Sequence, residues 1–228
     1  MKIGILQTGH LPDEVQNLSG DYDVIFDKLL AAHGLTSQAW YVVDGDFPES
    51  PDVADGWLVT GSKHGAYEDH DWIPPLEALI KSIHTAQLPM IGICFGHQII
   101  AQALGGRVEK FSGGWSVGRQ TYTFKGRDMA VNAWHQDQVT TLPPGADVIA
   151  SSEFCANAGF VIGNQIMTIQ PHPEFGADII NALLEHRAPG VVPQNHIDQA
   201  QLCLSDPTER HDVFADMADF LKNGAKHG

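Results

Sequence analysis

The chain has 228 residues, of which 43% are apolar, so it is long enough and apolar enough to fold around a sizeable core. Its 13 Lys and Arg face 28 Asp and Glu, a formal net charge of -15, which excludes nucleic acid and anionic membranes as expected partners. No stretch is long and apolar enough to span a bilayer. Three scattered cysteines, with no leader at the start, predict a reducing, cytoplasmic location.

The first half of the chain alternates between strand and helix patterns. Strands are predicted over 2–7, 38–43, 57–60 and 90–93, and helices over 21–33 and 72–84; residues 99–104 also show helical spacing, in a helix that follows the turn at Cys94. In the first helix, Val24, Phe26, Leu29 and Leu30 are predicted to share the buried side. This alternation predicts a parallel sheet with right-handed crossovers. Because sites in such sheets lie beyond the carboxyl ends of the strands, Gly61 and Cys94 are candidates for one.

The second half changes to short strands separated by Gly, Pro and Asn turns. Strands are predicted over 107–110, 119–124, 129–133, 139–141, 148–151, 159–162 and 165–169, and a helix over 175–186. The fold class is therefore α/β, with an open, mostly parallel central sheet, helices on both faces and a small antiparallel or mixed sheet. We predict a single domain over 1–228, with closing C-terminal helices at about 197–223.

The segment Ile91–Gln98 places Cys94 where a strand turns sharply into a helix. Gly92 and Gly96, two residues before and two after, would let the strand and helix pass without clashing. This is the pattern of a nucleophile elbow, with Cys in place of Ser. Amides in the first turn of the helix would favour the thiolate. The alternative is a buried core cysteine flanked by incidental glycines.

A second motif, Gln170-Pro-His-Pro-Glu174, follows the last predicted strand. The two prolines that bracket His172 exclude a helix and favour extended backbone. Residues two apart in an extended chain point to the same side, so His172 and Glu174 are expected to touch. A carboxylate beside an imidazole fixes its tautomer, which is the third role in a catalytic triad. The alternative is a proline-rich loop with a surface histidine, since the chain has 12 His.

Together these motifs resemble class I glutamine amidotransferases, the triad family. Gly92, Cys94, Gly96 and Gln98 match the family pattern Gly-x-Cys-x-Gly-x-Gln, and the His-Pro-Glu motif follows at 172–174. The resemblance extends from the start of the chain to about the helix after Glu174. Within the family, the sequence is similar to free-standing, GMP-synthase-like amidotransferases and to plant γ-glutamyl peptidases. It implies a flavodoxin-like fold.

The resemblance also implies roles for single residues. Cys94, His172 and Glu174 would form the catalytic triad, with the backbone amides of Gly61 and Phe95 as the oxyanion hole. The implied substrate contacts are Gln98, His135, Gln136 and Asp137.

Some positions depart from the family pattern. Ser62 and Lys63 stand where relatives carry a Gly or Pro, and Pro171 replaces an aromatic residue. Trp134 flanks His135 in the substrate segment, which leaves room for a γ-glutamyl substrate other than glutamine. A purely structural role for His135 stays open.

The sequence contains no motif for a metal site, a second reactive cysteine or a nucleotide cofactor. His64, Asp69, His70 and Asp71 match no ligand spacing, so we predict no metal site. Cys155 and Cys203 are interpreted as core or surface thiols. No glycine-rich nucleotide loop is present, so we predict no cofactor.

Three functions remain open from the sequence. The first is a glutaminase that releases ammonia from a γ-glutamyl amide, through a Cys thioester, for a separate synthetase. The second is a stand-alone γ-glutamyl peptidase. The third is a catalytically inactive binding module.

Overall fold

The computed structural model describes residues 1–224. The strands are β1 (Lys2–Leu6), β2 (Thr36–Trp40), β3 (Gly56–Val59), β4 (Met90–Ile93), β5 (Arg107–Lys110), β6 (Ser116–Phe124), β7 (Arg127–His135), β8 (Asp137–Thr141), β9 (Ala146–Ser151), β10 (Gly159–Ile162) and β11 (Ile166–Ile169). The α-helices are α1 (Asp13–Ser19), α2 (Tyr22–Ala32), α3 (Ile73–Thr85), α4 (Phe95–Ala103), α5 (Ala177–His186), α6 (Gln194–Leu202) and α7 (Arg210–Gly224). Within residues 1–224, no helix is both long enough and apolar enough to cross a membrane.

A nine-stranded sheet in the order β2-β1-β3-β4-β11-β10-β9-β6-β7 forms the centre of the molecule. The strands from β2 to β11 in that order run parallel, and the remaining pairs are antiparallel. Strands β5 and β8 form a separate two-stranded antiparallel sheet. The predicted fold class is confirmed. Most of the antiparallel strands extend the central sheet, and only β5 and β8 lie outside it.

Helices cover both faces of the central sheet, as predicted. Helices α2, α5, α6 and α7 contribute buried side chains to one core, and α3 and α4 contribute to the other. Strand β4 supplies both cores, because Ile91 and Ile93 face the first and Met90 faces the second. The two closing helices, α6 and α7, bury Ile197 and Phe214 against the first core.

Three local predictions were wrong or incomplete. Helix α1 was not predicted, because its seven residues bury only Val15 and therefore show no apolar period. The second strand ends at Trp40, and Val42–Asp44 forms a short 3-10 helix. Val24 is 38% exposed and does not share the buried side of α2, where Ile25 lies instead.

Helix α4 lies unusually close to β3 and β4. A Cβ atom added at Gly96 would come 2.1 Å from the carbonyl oxygen of Val59, and one added at Gly92 would come 2.7 Å from the Gly96 backbone. The Gly96 amide donates to the Thr60 carbonyl at 3.0 Å. The two glycines therefore allow the close approach of strand and helix that the sequence pattern predicted.

We expect Gly96→Ala to lower the free energy of unfolding by at least about 2 kcal/mol, because the added methyl group meets backbone that cannot move aside. Urea unfolding would measure this change. The matched control is Gly126→Asn in the turn between β6 and β7, where φ is 78° and a Cβ atom would meet nothing within 4 Å. Asn tolerates such backbone, so the control should lose less than about 1 kcal/mol. Equal losses in both variants would contradict the packing argument.

Candidate active site

Cys94 occupies a strained turn between β4 and α4. Its φ of 54° and ψ of -105° lie outside the regions that L-residues ordinarily adopt. The Cys94 amide donates to the Ile169 carbonyl at 2.9 Å, which ties this turn to the end of β11. The thiol lies 3.9 Å from the Trp134 carbonyl oxygen, and the residue is 5% exposed. The structure therefore has the sharp strand-to-helix turn that a nucleophile elbow requires.

Two backbone amides beside this turn have no hydrogen-bond acceptor. Among residues 1–224, the amides of Gly61 and Phe95 donate no hydrogen bond. Phe95 is the first residue of α4, where the helix dipole also favours negative charge. A Cβ atom at Gly61 would lie 3.1 Å from His172 Cε1 and 2.9 Å from the Tyr22 hydroxyl. A Cβ atom here would require Tyr22 or the imidazole to shift, so glycine suits this close approach.

His172 and Glu174 form a buried pair after β11. His172 Nδ1 lies 2.7 Å from Glu174 Oε1, and the side chains are 3% and 0% exposed. The His172 amide donates to the Asn132 carbonyl at 2.7 Å, which fixes the backbone against β7. Nδ1 donates to the carboxylate, so in the neutral ring Nε2 is left as a proton acceptor. Within the described chain, Nε2 has no hydrogen-bond partner.

Charge and stacking both act on the His172 ring. Burial alone would lower the pKa of His172, but electrostatic interactions with Glu174 and Cys94 raise it above the ordinary value. Phe175 stacks on the ring with centroids 4.2 Å apart and planes inclined by 4°. Tyr22 in turn stacks on Phe175 at 6.2 Å. The imidazole is therefore held in one orientation by its carboxylate and by an aromatic face.

Parallel pairing of β4 with β11 brings the two motifs together. Ile93 pairs with Ile169 at the ends of these strands, so Cys94 and His172 emerge at the same edge of the sheet. Both residues line a cavity of about 640 Å³. Cys94 thus borders this cavity, although the residue is almost wholly buried.

Four further predicted residues also line the cavity. Gln98 is largely committed within the protein, because its amide nitrogen lies 3.0 Å from the Asp137 carbonyl and 3.1 Å from Gln170 Oε1. His135 is buried, and burial lowers its pKa to about 3, so the ring is neutral. Its Nδ1 lies 3.1 Å from the Asp137 carbonyl. Gln98 and His135 therefore both support the backbone at Asp137.

Gln136 and Asp137 present more of their side chains to the cavity. Gln136 makes only a 3.4 Å contact with the Phe111 carbonyl. The Asp137 carboxylate accepts a hydrogen bond from the Tyr67 hydroxyl at 3.2 Å. Burial raises the pKa of Asp137.

The structure adds cavity residues that no sequence motif selected. Lys63, Lys110 and Arg187 bring positive charge into the cavity of a protein whose formal net charge is -15. Asp13 and Glu68 add acidic groups to the same lining. Most of these residues are far apart in sequence, and they share no motif, so only the fold reveals that they line one cavity.

The remaining candidates lie apart from the sulfur. Cys155 is buried in the core and Cys203 is partly exposed, and neither lines the cavity. Asp69 and Asp71, which were weighed as metal ligands, are exposed. His64 and His70 instead approach Glu68, a residue that the sequence argument omitted.

Comparison with known proteins identifies the family. The family model for class-I glutamine amidotransferases matches residues 54–183. Gamma-glutamyl peptidase 4 of Arabidopsis thaliana is 33% identical over 202 residues, which cover 81% of this chain and 80% of that protein. A GMP synthase [glutamine-hydrolyzing] of Aromatoleum aromaticum is 33% identical over 52% of this chain but only 25% of its own length.

Solved structures agree with the fold. A glutamine amidotransferase from Methylobacillus flagellatus has a TM-score of 0.75 over 99% of this chain and 94% of that chain, at 22% sequence identity. Since the family model matches more than half of the chain and the plant relative is similar over most of its length, the chain belongs to the class I glutamine amidotransferase family.

Proposed function

We propose that this protein is a cysteine-dependent γ-glutamyl hydrolase that cleaves small γ-glutamyl peptides. The observation that carries the proposal is a strained Cys94 that shares one cavity with a buried His172–Glu174 pair, in which His172 Nε2 has no hydrogen-bond partner among residues 1–224. This arrangement provides a nucleophile, a base and a group that orients the base. A catalytically inactive binding module would not require this arrangement of nucleophile, base and orienting group.

In the first half of the reaction, His172 Nε2 takes the proton of the Cys94 thiol. The thiolate sulfur then attacks the γ-carbonyl carbon of the substrate and forms a tetrahedral intermediate. Its oxyanion is met by the free amides of Gly61 and Phe95, which are already fixed in position. The charge of Glu174 stabilises the imidazolium that forms.

The second half regenerates the enzyme. The intermediate collapses as the C–N bond breaks, and His172 gives its proton to the departing nitrogen. The product amine leaves, and a γ-glutamyl thioester remains on Cys94. His172 then removes a proton from water, the resulting hydroxide attacks the thioester, and glutamate departs as the thiol recovers its proton.

Two observations favour a peptide as the substrate. A cavity of about 640 Å³ is of the size that binds drug-sized ligands, and free glutamine would fill only part of it. Lys63, Lys110 and Arg187 can pair with the carboxylate of a leaving amino acid, a group that the ammonia leaving from glutamine does not have. The extent of similarity to a protein named as a γ-glutamyl peptidase supports the same choice.

A second candidate is a glutaminase that supplies ammonia to a separate synthetase. The similarity to a GMP synthase [glutamine-hydrolyzing] favours the glutaminase candidate. The match covers only a quarter of that protein, so a chain with this region alone would need a separate synthetase to use the ammonia. The thioester chemistry on Cys94 would be identical in both cases. For either function we propose a cytoplasmic location, since all three cysteines are free thiols.

We expect Cys94→Ala to reduce turnover of γ-glutamyl substrates at least about a thousandfold, because no other group can form the thioester. Thermal unfolding should be nearly unchanged, since Ala fits the same turn. Mass spectrometry of acid-quenched wild-type enzyme should detect a γ-glutamyl adduct on the peptide that contains Cys94. Cys203→Ala is the matched control and should retain both the activity and the adduct. Near-normal turnover by Cys94→Ala would exclude the mechanism.

We expect His172→Ala to lower kcat more than Glu174→Gln, by roughly tenfold or more, because the imidazole moves the proton and the carboxylate only orients and stabilises it. Steady-state kinetics with one γ-glutamyl dipeptide would give both values. Glu185→Gln on the exposed part of α5 serves as the control for the charge change. The reverse order of the two effects would refute the assigned roles.

We expect γ-glutamyl dipeptides to be hydrolysed with a kcat/KM at least about tenfold above that of glutamine, which corresponds to about 1.4 kcal/mol of additional transition-state binding. Release of the amino acid or ammonia can be followed by mass spectrometry and by a coupled assay, with Cys94→Ala as background. A higher value for glutamine would select the ammonia-supplying candidate. Failure to hydrolyse either substrate would refute both.

A further inference from the structure

The segment between β3 and α3 gathers two imidazoles around one carboxylate. His64 Nδ1 lies 3.4 Å from Glu68 Oε2, and His70 Nε2 lies 2.8 Å from the same oxygen. One ligand atom from each of the three side chains falls within 4.8 Å of the other two. Among residues 1–224, this is the one cluster of three such side chains that meets that condition.

We propose that His64, Glu68 and His70 form a zinc-binding site at the rim of the cavity that contains Cys94. Two histidines and one carboxylate are a ligand set that proteins use for Zn²⁺ when further positions are left to water. The three residues lie within a seven-residue stretch, so the loop itself brings the donors together. The formal net charge of -15 favours the approach of a cation.

Convergence distinguishes this cluster from the other histidine–carboxylate contacts. His10 also meets two carboxylates, but its Nδ1 faces Asp21 and its Nε2 faces Asp44, on different ring atoms that point apart. One ion cannot replace both contacts. In the proposed site, both imidazoles direct a nitrogen toward the same carboxylate oxygen, so one ion can be held between all three groups.

Aromatic packing holds the two imidazoles in place. His70 stacks on Trp72 with planes inclined by 13°, and His64 meets the same indole edge-on. Trp72 is 9% exposed and packs against Phe95, whose amide we assign to the oxyanion hole. The ligands therefore stand on a rigid base, and they need little ordering when an ion binds.

Two of the three proposed zinc ligands also line the cavity that contains Cys94. Among the described residues, His64 and Glu68 line the cavity together with Cys94, whereas His70 does not line it. The side chains of His64, Glu68 and His70 are 21%, 44% and 33% exposed, which leaves a path for the ion and room for water ligands. The site lies on the segment that begins at Gly61, and it uses no member of the proposed triad.

We test this by titrating chelator-treated Cys94→Ala protein with Zn²⁺ alone in a calorimeter. The Cys94→Ala background removes the thiol that would otherwise bind zinc beside His172. One equivalent should bind, and adding His64→Gln or His70→Gln should each weaken that binding at least about tenfold. The matched control is His186→Gln, an exposed histidine 3.8 Å from Glu185, which should leave the affinity unchanged. Equal affinities for His64→Gln and His186→Gln, or no zinc binding at all, would overturn the proposal.

Cobalt substitution gives an independent readout. Co²⁺ added to the Cys94→Ala protein should show only the weak visible bands of nitrogen and oxygen ligation, and His70→Gln should remove them. A strong sulfur-to-cobalt band would place the ion on Cys155 or Cys203 and overturn the assignment. Neither experiment depends on catalysis, so failure of the zinc site and failure of the proposed hydrolase are separate results.

Discussion

The contact between α4 and β3 is the constraint on which the site depends. The helix comes so close that Gly96 nearly touches the Val59 carbonyl, and the chain must therefore reverse direction within one residue after β4. Cys94 is that residue, and its positive φ stores strain of about 1–3 kcal/mol. Fully buried neighbours in β4 and α4 offset this cost, because they cannot relax without opening the core. The packing that enforces this strained turn also holds Cys94 at the edge of the cavity.

The His172–Glu174 pair is also held in place by its buried surroundings. A histidine and a carboxylate that are both almost wholly buried lose a large hydration energy, which their mutual attraction only partly restores. The pair is nevertheless retained with one carboxylate oxygen and one ring nitrogen unpartnered. Stacking by Phe175 keeps the ring in place while Nε2 remains free. A buried, oriented imidazole with an unpaired nitrogen is well placed for proton transfer, but it contributes little to the stability of the fold. Loss of stability in exchange for reactivity is typical of catalytic residues, which supports the proposed role of His172.

How far the sequence could predict this arrangement depended on how local each signal was. Strand β4 and the turn at Cys94 were predictable, because an apolar run and two glycines lie within eight residues. The contact between His172 and Glu174 followed from two prolines and the period of extended chain. In contrast, Lys110 and Arg187 reach the cavity from distant elements, and no periodicity reports that. Glu68 was overlooked because it lies in a turn. A linear sequence pattern does not encode the directions of side chains in a turn, so it does not reveal that Glu68 meets His64 and His70.

Under the proposed function, the parts that would perform the chemistry are separate from the parts that would select the substrate. Cys94, the two free amides and the buried pair all sit on the ends of β3, β4 and β11, where the central sheet fixes them. The surrounding rim comes from loops, chiefly the segment that follows Gly61 and the turn after β7. We therefore propose that a change in the rim alters which γ-glutamyl compound enters without moving the sulfur or the imidazole. This division explains how one family contains proteins named for peptide cleavage and for glutamine hydrolysis on a common scaffold.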